Sequence, residues 1–426
     1  MFLGIHTIDK SEQFHTNVSE QISSKIVTYS VFLFTITIIG ISIVSISFPA
    51  LIISNTYNFP LDIDPFEASP WLPPIVISSV ILFSIGFLYL QKKLPTSIHS
   101  TIDSIIGFEI SRKVAVISGI IILSIYVGLS IPELSIDEID QWSDYNILAH
   151  ALEIWPSTDS WNVYIKEQNT RYVRMILLDF SQEFFQNIKI LPFVASILTV
   201  IFTALITIQL SKRRLSGIIA MIIVLQSPTF TDFDTIAVYE NFWVLFYLIS
   251  IHSINKKWWH TSPIAFILSI FTKAFTATYF WMNFFFIYRA EISKKSKLVL
   301  FSLYGVIIGI IYLIFESGRS IIYDDIIRYN FNAFLDGFTG WGNSMQLDPL
   351  IVLCILPLTV GLFIKSMKGT KQADSILIIL AGSILAGPLI ALVTDFYYIL
   401  PYRFIPFIVF SAIGIGIILS RKTIHE

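Results

Sequence analysis

Charge is what this sequence has least of. Only 14% of its 426 residues are Asp, Glu, Lys or Arg, against roughly 25% in soluble domains. Hydrophobic residues make up 54% and the mean hydropathy is +0.73. Such a composition excludes a soluble globular protein and an intrinsically disordered one. Cysteine occurs once, as Cys354 inside an apolar run. Neither a disulfide framework nor a cysteine-based metal cluster can form from it. A formal net charge of −2 supplies no basic field, so no nucleic-acid partner is expected. Residues 1–25 are polar and do not read as a signal peptide with its short apolar core.

What is abundant is apolar length. A bilayer span needs about 20 apolar residues. Runs of that kind fall at 27–49, 72–90, 114–132, 190–210, 215–231, 238–254, 298–315, 350–364, 375–394 and 400–420. The stretch 262–288 is apolar as well, and is flanked on both sides by basic residues, Lys256 and Lys257 before it and Arg289 and Lys294 after it. Those flanks favour a hairpin of two short segments over one span.

Lys and Arg collect on the cytoplasmic side of membrane proteins. With the hairpin crossing twice, twenty of the 28 basic residues fall in alternate connections, and 22 of the 30 acidic ones fall in the others. The expected fold is an all-α polytopic bundle of about twelve crossings with both termini cytoplasmic. Long outside loops cover 133–189, with helical stretches of its own, and 316–349. The expected divisions are a cytoplasmic segment 1–25, two appended spans with a linker over 26–113, a core over 114–420 and a cytoplasmic tail 421–426.

The first outside loop carries the densest chemistry. Asp137, Glu138, Asp140 and Asp144 lie within eight residues, directly after a span. Carboxylates this close repel one another. They can hold a divalent cation, with Asp137 and Glu138 as candidate ligands, or keep one member protonated and ready to act as a base. Downstream, Tyr172, Met175, Ile176, Phe180 and Phe184 recur near helical spacing, as suits either a helix lying on the membrane surface or a loop helix packed on neighbouring spans. His150 is the one histidine of that loop and makes a weak ligand candidate.

Other charges belong to the same level. Asp234 and Glu240 bracket a short outside loop, Lys273 sits at the tip of the hairpin, Arg403 opens the last span, and Arg171 and Arg174 lie in the first loop. A cation next to hydrocarbon is costly, which makes Lys273 a functional candidate.

The order of these features resembles a known family. An outside loop opens on Asp-Glu and carries an Arg before amphipathic helices. It is followed by SKRRLSG, LQSPTF, YENFW, LSIFTKAF and LPYRFIPF. This resembles the GT-C class of integral-membrane glycosyltransferases, of the protein mannosyltransferase and aminoarabinose-transferase type, over about 114–420. The resemblance implies transfer of a sugar from a polyprenyl-phosphate donor, with inversion, on the outer face of a cell membrane. The acceptor is an unspecified glycan, lipid or protein. It implies Asp137 with Glu138 as catalytic carboxylates, and Asp234 or Glu240 as a secondary acidic site beside Asp140 and Asp144. Lys273, Arg403 and Arg171 would bind the donor phosphate. No Trp-Trp-Asp-Tyr-Gly motif is present, which sets the chain apart from oligosaccharyltransferase catalytic subunits. Two other readings use the same spans, a multi-span transporter and an outer-face polymerase or ligase of lipid-linked glycans. The acidic loop disfavours the latter, because diphosphate carriers call for basic residues.

Overall fold

In lipid a backbone N–H or C=O finds no water, so apolar runs of span length must satisfy their own hydrogen bonds as helices. The computed structural model of the protein describes residues 10–53, 64–139, 141–142, 144–153, 172–256, 258–317, 329–370, 372–393 and 400–419, and these are helices, turns and loops without a strand among the described residues. In chain order the helices are α1 (Lys10–Ser47), α2 (Pro49–Ile53), α3 (Leu72–Leu90), α4 (Thr96–Gly107), α5 (Arg112–Ser130), α6 (Tyr145–Glu153), α7 (Tyr172–Phe185), α8 (Ile190–Ser211) and α9 (Arg214–Leu225). They continue as α10 (Pro228–Asp232), α11 (Phe242–Ile254), α12 (Ser262–Thr272), α13 (Phe280–Arg289), α14 (Lys294–Ser317), α15 (Phe331–Met345), α16 (Pro349–Met367), α17 (Ala373–Val393) and α18 (Ile405–Ile418). Among the described residues seven helices are long and apolar enough to cross a membrane, as suits a multi-pass membrane protein.

Local sequence sets many of the helix starts. Ser111 accepts a hydrogen bond from the Val114 amide to begin α5, and Ser227 does the same for Phe230 to begin α10. Side-chain caps of this type satisfy amides that have no partner within the helix. Pro stands in the first turn of α3, α10, α12, α16 and α18, where its missing N–H is not needed.

The core is formed where α8, α9, α11, α16 and α17 pack around or beside α18. The α18 side chains Phe407, Ile408, Val409 and Phe410 are fully buried. Helix α1 packs along α15, α16 and α17, although the sequence reading sets it, with α3, before the core. By contrast α3 and α5 lie at the periphery. Ile77, Val80, Ile120, Ile125 and Leu129 are exposed, as suits lipid-facing surface.

Two elements interrupt the pattern of spans. Around Lys273 the stretch 262–288 breaks into α12, a 3₁₀ turn at Ala274–Tyr279, and α13. Ser262 at the start of α12 and Asn283 in α13 both reach the Tyr304 hydroxyl, at 2.9 and 3.2 Å. The two arms therefore return to one level with Lys273 between them. At 1.5 Å per residue each arm rises about 15 Å, half the hydrocarbon thickness of about 30 Å.

The second interruption is α15, inside the expected second outside loop. It lies between α1 and α17 at glycine-mediated close approach. A Cβ on Gly337 would fall 2.6 Å from Pro388 Cα, and one on Gly387 would overlap the Trp341 indole. This seats Trp341 against Phe404, with ring centroids 5.2 Å apart.

The helix expected after the acidic loop is present as α7 and packs on α8 and α12. Met175 and Leu178 are buried, while Ile176, Phe180 and Phe184 form an exposed apolar row.

Candidate functional site

The segment between α10 and α11 reads FDTIAVYEN and is buried throughout residues 233–241. Buried backbone polar groups need partners, and here two side chains from distant elements provide them. The Glu138 carboxylate accepts hydrogen bonds from the amides of Ala237 and Val238, at 2.5 and 3.1 Å. From the other side Arg174 of α7 donates to the Val238 carbonyl at 2.7 Å, and its Nε lies 2.9 Å from Glu240 Oε2. Lys189 donates to the Glu133 carbonyl at 3.1 Å and stands 4.0 Å from Glu138. Burial pushes the Glu138 pKa up against the opposing pull of the two amides, Lys189 and Arg174. Burial also pushes Lys189 down, against the opposing pull of Glu138. The segment is thus a strap clamped by an acid and a guanidinium, and what it presents is Tyr239.

Tyr239 stacks on Tyr402 with centroids 4.6 Å apart and planes at 19°. Its hydroxyl donates to Asp144 Oδ2 at 3.0 Å. Burial first, and then Asp144, raise the Tyr239 pKa, so this phenol holds its proton. On the other ring, Lys273 Nζ donates to the Tyr402 hydroxyl at 2.6 Å and lies 3.9 Å from the ring centroid. Arg403 Nε donates to the same hydroxyl at 3.1 Å, and its guanidinium lies 5.8 Å from the Phe275 ring centroid. Lys273 takes this position because α12 ends there in an extended conformation, φ −150° and ψ 114°. Two cations meeting on one phenol oxygen make a strongly positive corner, walled by Phe275, Tyr239 and Tyr402. An anion entering it interacts with both charges.

The residues singled out in the sequence separate into groups. Lys273 and Arg403 meet, and Asp144 reaches them through the two tyrosines. Asp137 and Glu138 diverge. Asp137 is exposed and caps its own turn through the Ile139 amide at 3.1 Å, while Glu138 is buried in the clamp. Glu240 pairs with Arg174. Asp234 is buried at the junction of α5 and α8, where Ser130 donates to its Oδ2 at 3.0 Å and Ser196 donates to its carbonyl at 2.7 Å. Asp140 and Arg171 lie outside the described residues. No three His, Cys, Asp or Glu side chains converge among the described residues. Sequence reasoning missed Tyr239 and Tyr402. The only signal for them was adjacency, since each precedes a charge already singled out, Glu240 and Arg403.

The buried Asp234 gives a pH expectation. Burial raises its pKa to about 7, against the bonds it accepts from Ser130 and Tyr126. The unfolded carboxyl titrates near 3.9. Between these values the folded state holds a proton that the unfolded state has lost, so the stability Asp234 contributes declines as pH rises toward 7. The melting temperature of wild type minus that of Asp234→Asn should fall between pH 4.5 and 7 and stay level above about pH 8. Parallel melting curves across that range would refute this.

No family model matches the chain, and neither a curated protein nor a solved structure matches it. The class of protein comes from the fold and the site alone: a multi-pass α-helical membrane protein with a cationic, aromatic corner at one end of its bundle.

Proposed function

We propose that the protein is a membrane glycosyltransferase of the GT-C kind, moving a sugar from a polyprenyl-phosphate carrier to an acceptor on the outer face of the membrane. In this reading the bundle makes about twelve crossings, with α12 and α13 as a hairpin and both termini cytoplasmic. The observation that carries the reading is the convergence of Lys273 and Arg403 on Tyr402, with Asp144 of the acidic loop hydrogen-bonded to the stacked Tyr239.

The chemistry needs positive charge where the carrier phosphate departs and a carboxylate where the acceptor loses its proton. The acceptor oxygen bonds to the anomeric carbon as the bond from that carbon to the phosphate oxygen breaks. The electron pair leaves on the phosphate, held by Lys273 and Arg403, and the acceptor proton passes to the loop carboxylate. Attack opposite the leaving phosphate inverts the anomeric centre. A lipid-borne phosphate suits this corner because its tail stays in the bilayer while its head reaches the ends of α12 and α18.

Binding of polyprenyl phosphate to purified Lys273→Met tests the reading. Methionine keeps the length of the stem and deletes the charge. Affinity should fall by about 1.5–3 kcal/mol, the range for hydrogen bonds to charged groups, which is roughly 10- to 150-fold. Unchanged affinity would remove Lys273 from the site. One observation favours a second reading. Transporters place discontinuous helices at their substrate sites, and α12 breaks at Lys273. Substrate flux through reconstituted vesicles without any change in the substrate would select the transporter.

A further inference from the structure

Helix α4 joins the ends of two spans without packing into the bundle. Its neighbours α3 and α5 are each long and apolar enough to cross a membrane. Consecutive crossings put the end of α3 and the start of α5 at one membrane face. Lys92 turns the chain out of α3 there in a left-handed conformation, φ 56°, with the Lys93 amide bonded to the Leu88 carbonyl. With 12 residues, α4 rises about 18 Å, too short to span a hydrocarbon layer of about 30 Å.

The sequence of α4, TSIHSTIDSIIG, divides by helical spacing. Ile98, Ile102, Ile105 and Ile106 share one side, and Ser97, Ser100, Thr101 and Ser104 share the other. No residue of the helix is buried, and Ile98 and Ile105 are 47% and 50% exposed. Both ends are nevertheless held. Tyr89, at the end of α3, donates to Asp103 at 2.7 Å and stacks on His99, which itself pairs with Asp103 at 2.9 Å. Just past α4, Glu109 accepts from the Arg214 amide at 3.0 Å and from Arg213 Nε at 3.3 Å. The helix is thus fixed where the spans leave the bilayer, with an apolar stripe that the described residues leave open at Ile98 and Ile105.

What covers the stripe follows from its surroundings. The flanking spans expose Phe87, Leu90 and Val114, so the stripe stands between two lipid-facing surfaces. Charge supplies the second argument. Lys92 and Lys93 precede α4, Arg112 and Lys113 follow it, and all four are exposed. The two acids of the connection, Asp103 and Glu109, are already engaged by Tyr89, His99, Arg213 and Arg214. Basic residues clustered at the end of a span attract anionic headgroups, and the apolar face of an amphipathic helix inserts at the headgroup boundary.

We propose that α4 is an in-plane anchor that recognises anionic phospholipid. Ile98, Ile102, Ile105 and Ile106 enter the acyl boundary, while Lys92, Lys93, Arg112 and Lys113 hold headgroup phosphates. Each such cation strengthens attachment to an anionic surface by about fivefold. The anchor does not depend on the transferase reading.

The test places a nitroxide label at Ile105→Cys or at Thr101→Cys in the full-length Cys354→Ala protein. The vesicles are phosphatidylcholine with or without phosphatidylglycerol. Collision with oxygen, which concentrates in lipid, is compared with collision with a water-soluble nickel chelate. With phosphatidylglycerol, the label on the apolar side should favour oxygen and the label on the polar side nickel. Without it, or after Lys92→Gln/Lys93→Gln/Arg112→Gln/Lys113→Gln, the apolar-side label should shift toward nickel. Both labels in water would overturn the proposal and leave the stripe to a protein partner. Both labels in lipid would overturn the in-plane placement. An oxygen preference indifferent to phosphatidylglycerol and to the four substitutions would overturn the recognition of anionic headgroups.

Discussion

Replacing Arg289 by methionine should destabilise the fold by about 3–5 kcal/mol, the penalty for leaving one partner of a buried ion pair. Arg289 closes α13 and meets Asp374 at the start of α17, with contacts of 3.0 and 2.6 Å. It also donates to Ser24 and Thr28 of α1, and Thr28 in turn donates to Asp374 at 3.0 Å. Asp374 has no exposed surface. The pair therefore joins three helices at the end of the bundle opposite Tyr402. Methionine would leave a carboxylate enclosed among helices with its strongest partner gone. The expected result is loss of the monodisperse species in detergent, or a melting temperature lowered by many degrees. The double variant Arg289→Met/Asp374→Leu should recover much of the loss, because an apolar pair of similar volume can replace a buried ion pair. A single variant as stable as the double one would show that the pair contributes nothing.

On the proposed transferase reading, Asp144→Asn should lower sugar transfer by about 10²-fold or more, the range for removing a positioned base. Among the described loop carboxylates it is Asp144 that hydrogen-bonds into the aromatic stack carrying the cations. Asparagine keeps the size and the bond from Tyr239 but accepts no proton. Tyr239→Phe should have a smaller effect, because it removes the orientation of the carboxylate and leaves its basicity. Asp137→Asn is the matched comparison, since Asp137 caps its own turn. Transfer from a polyprenyl-phosphate sugar in proteoliposomes reads all three. An active Asp144→Asn beside an inactive Asp137→Asn would return the role to Asp137.

Much of the helical framework was legible because hydropathy is local. The run at 72–90 is helix Leu72–Leu90, and those at 190–210 and 350–364 lie within helices Ile190–Ser211 and Pro349–Met367. The run at 215–231 ends earlier, at Leu225. There Ser227 caps a new short helix and Pro228 supplies no N–H to continue the old one. Helix α15 was read as loop. Its sequence, FNAFLDGFTGWGNSM, is short and rich in glycine and polar residues. Those glycines make sense only against Pro388 and Ser45, which supply the contact surface.

The site divides in the same way. Sequence determined that this chain carries apolar helices of membrane-spanning length, and that Lys273 and Arg403 stand beside apolar segments. These are properties of composition and order along the chain. Tertiary structure alone decided that adjacent Asp137 and Glu138 serve different surroundings, since neighbours in an irregular turn point apart. It also decided that Lys273 meets Tyr402 across 129 residues, and that Tyr239 is delivered to that ring by a strap held from α7 and the first loop. Such meetings depend on how helices pack and where a helix breaks, and the pairwise geometry of packing is not written in the hydropathy of either partner.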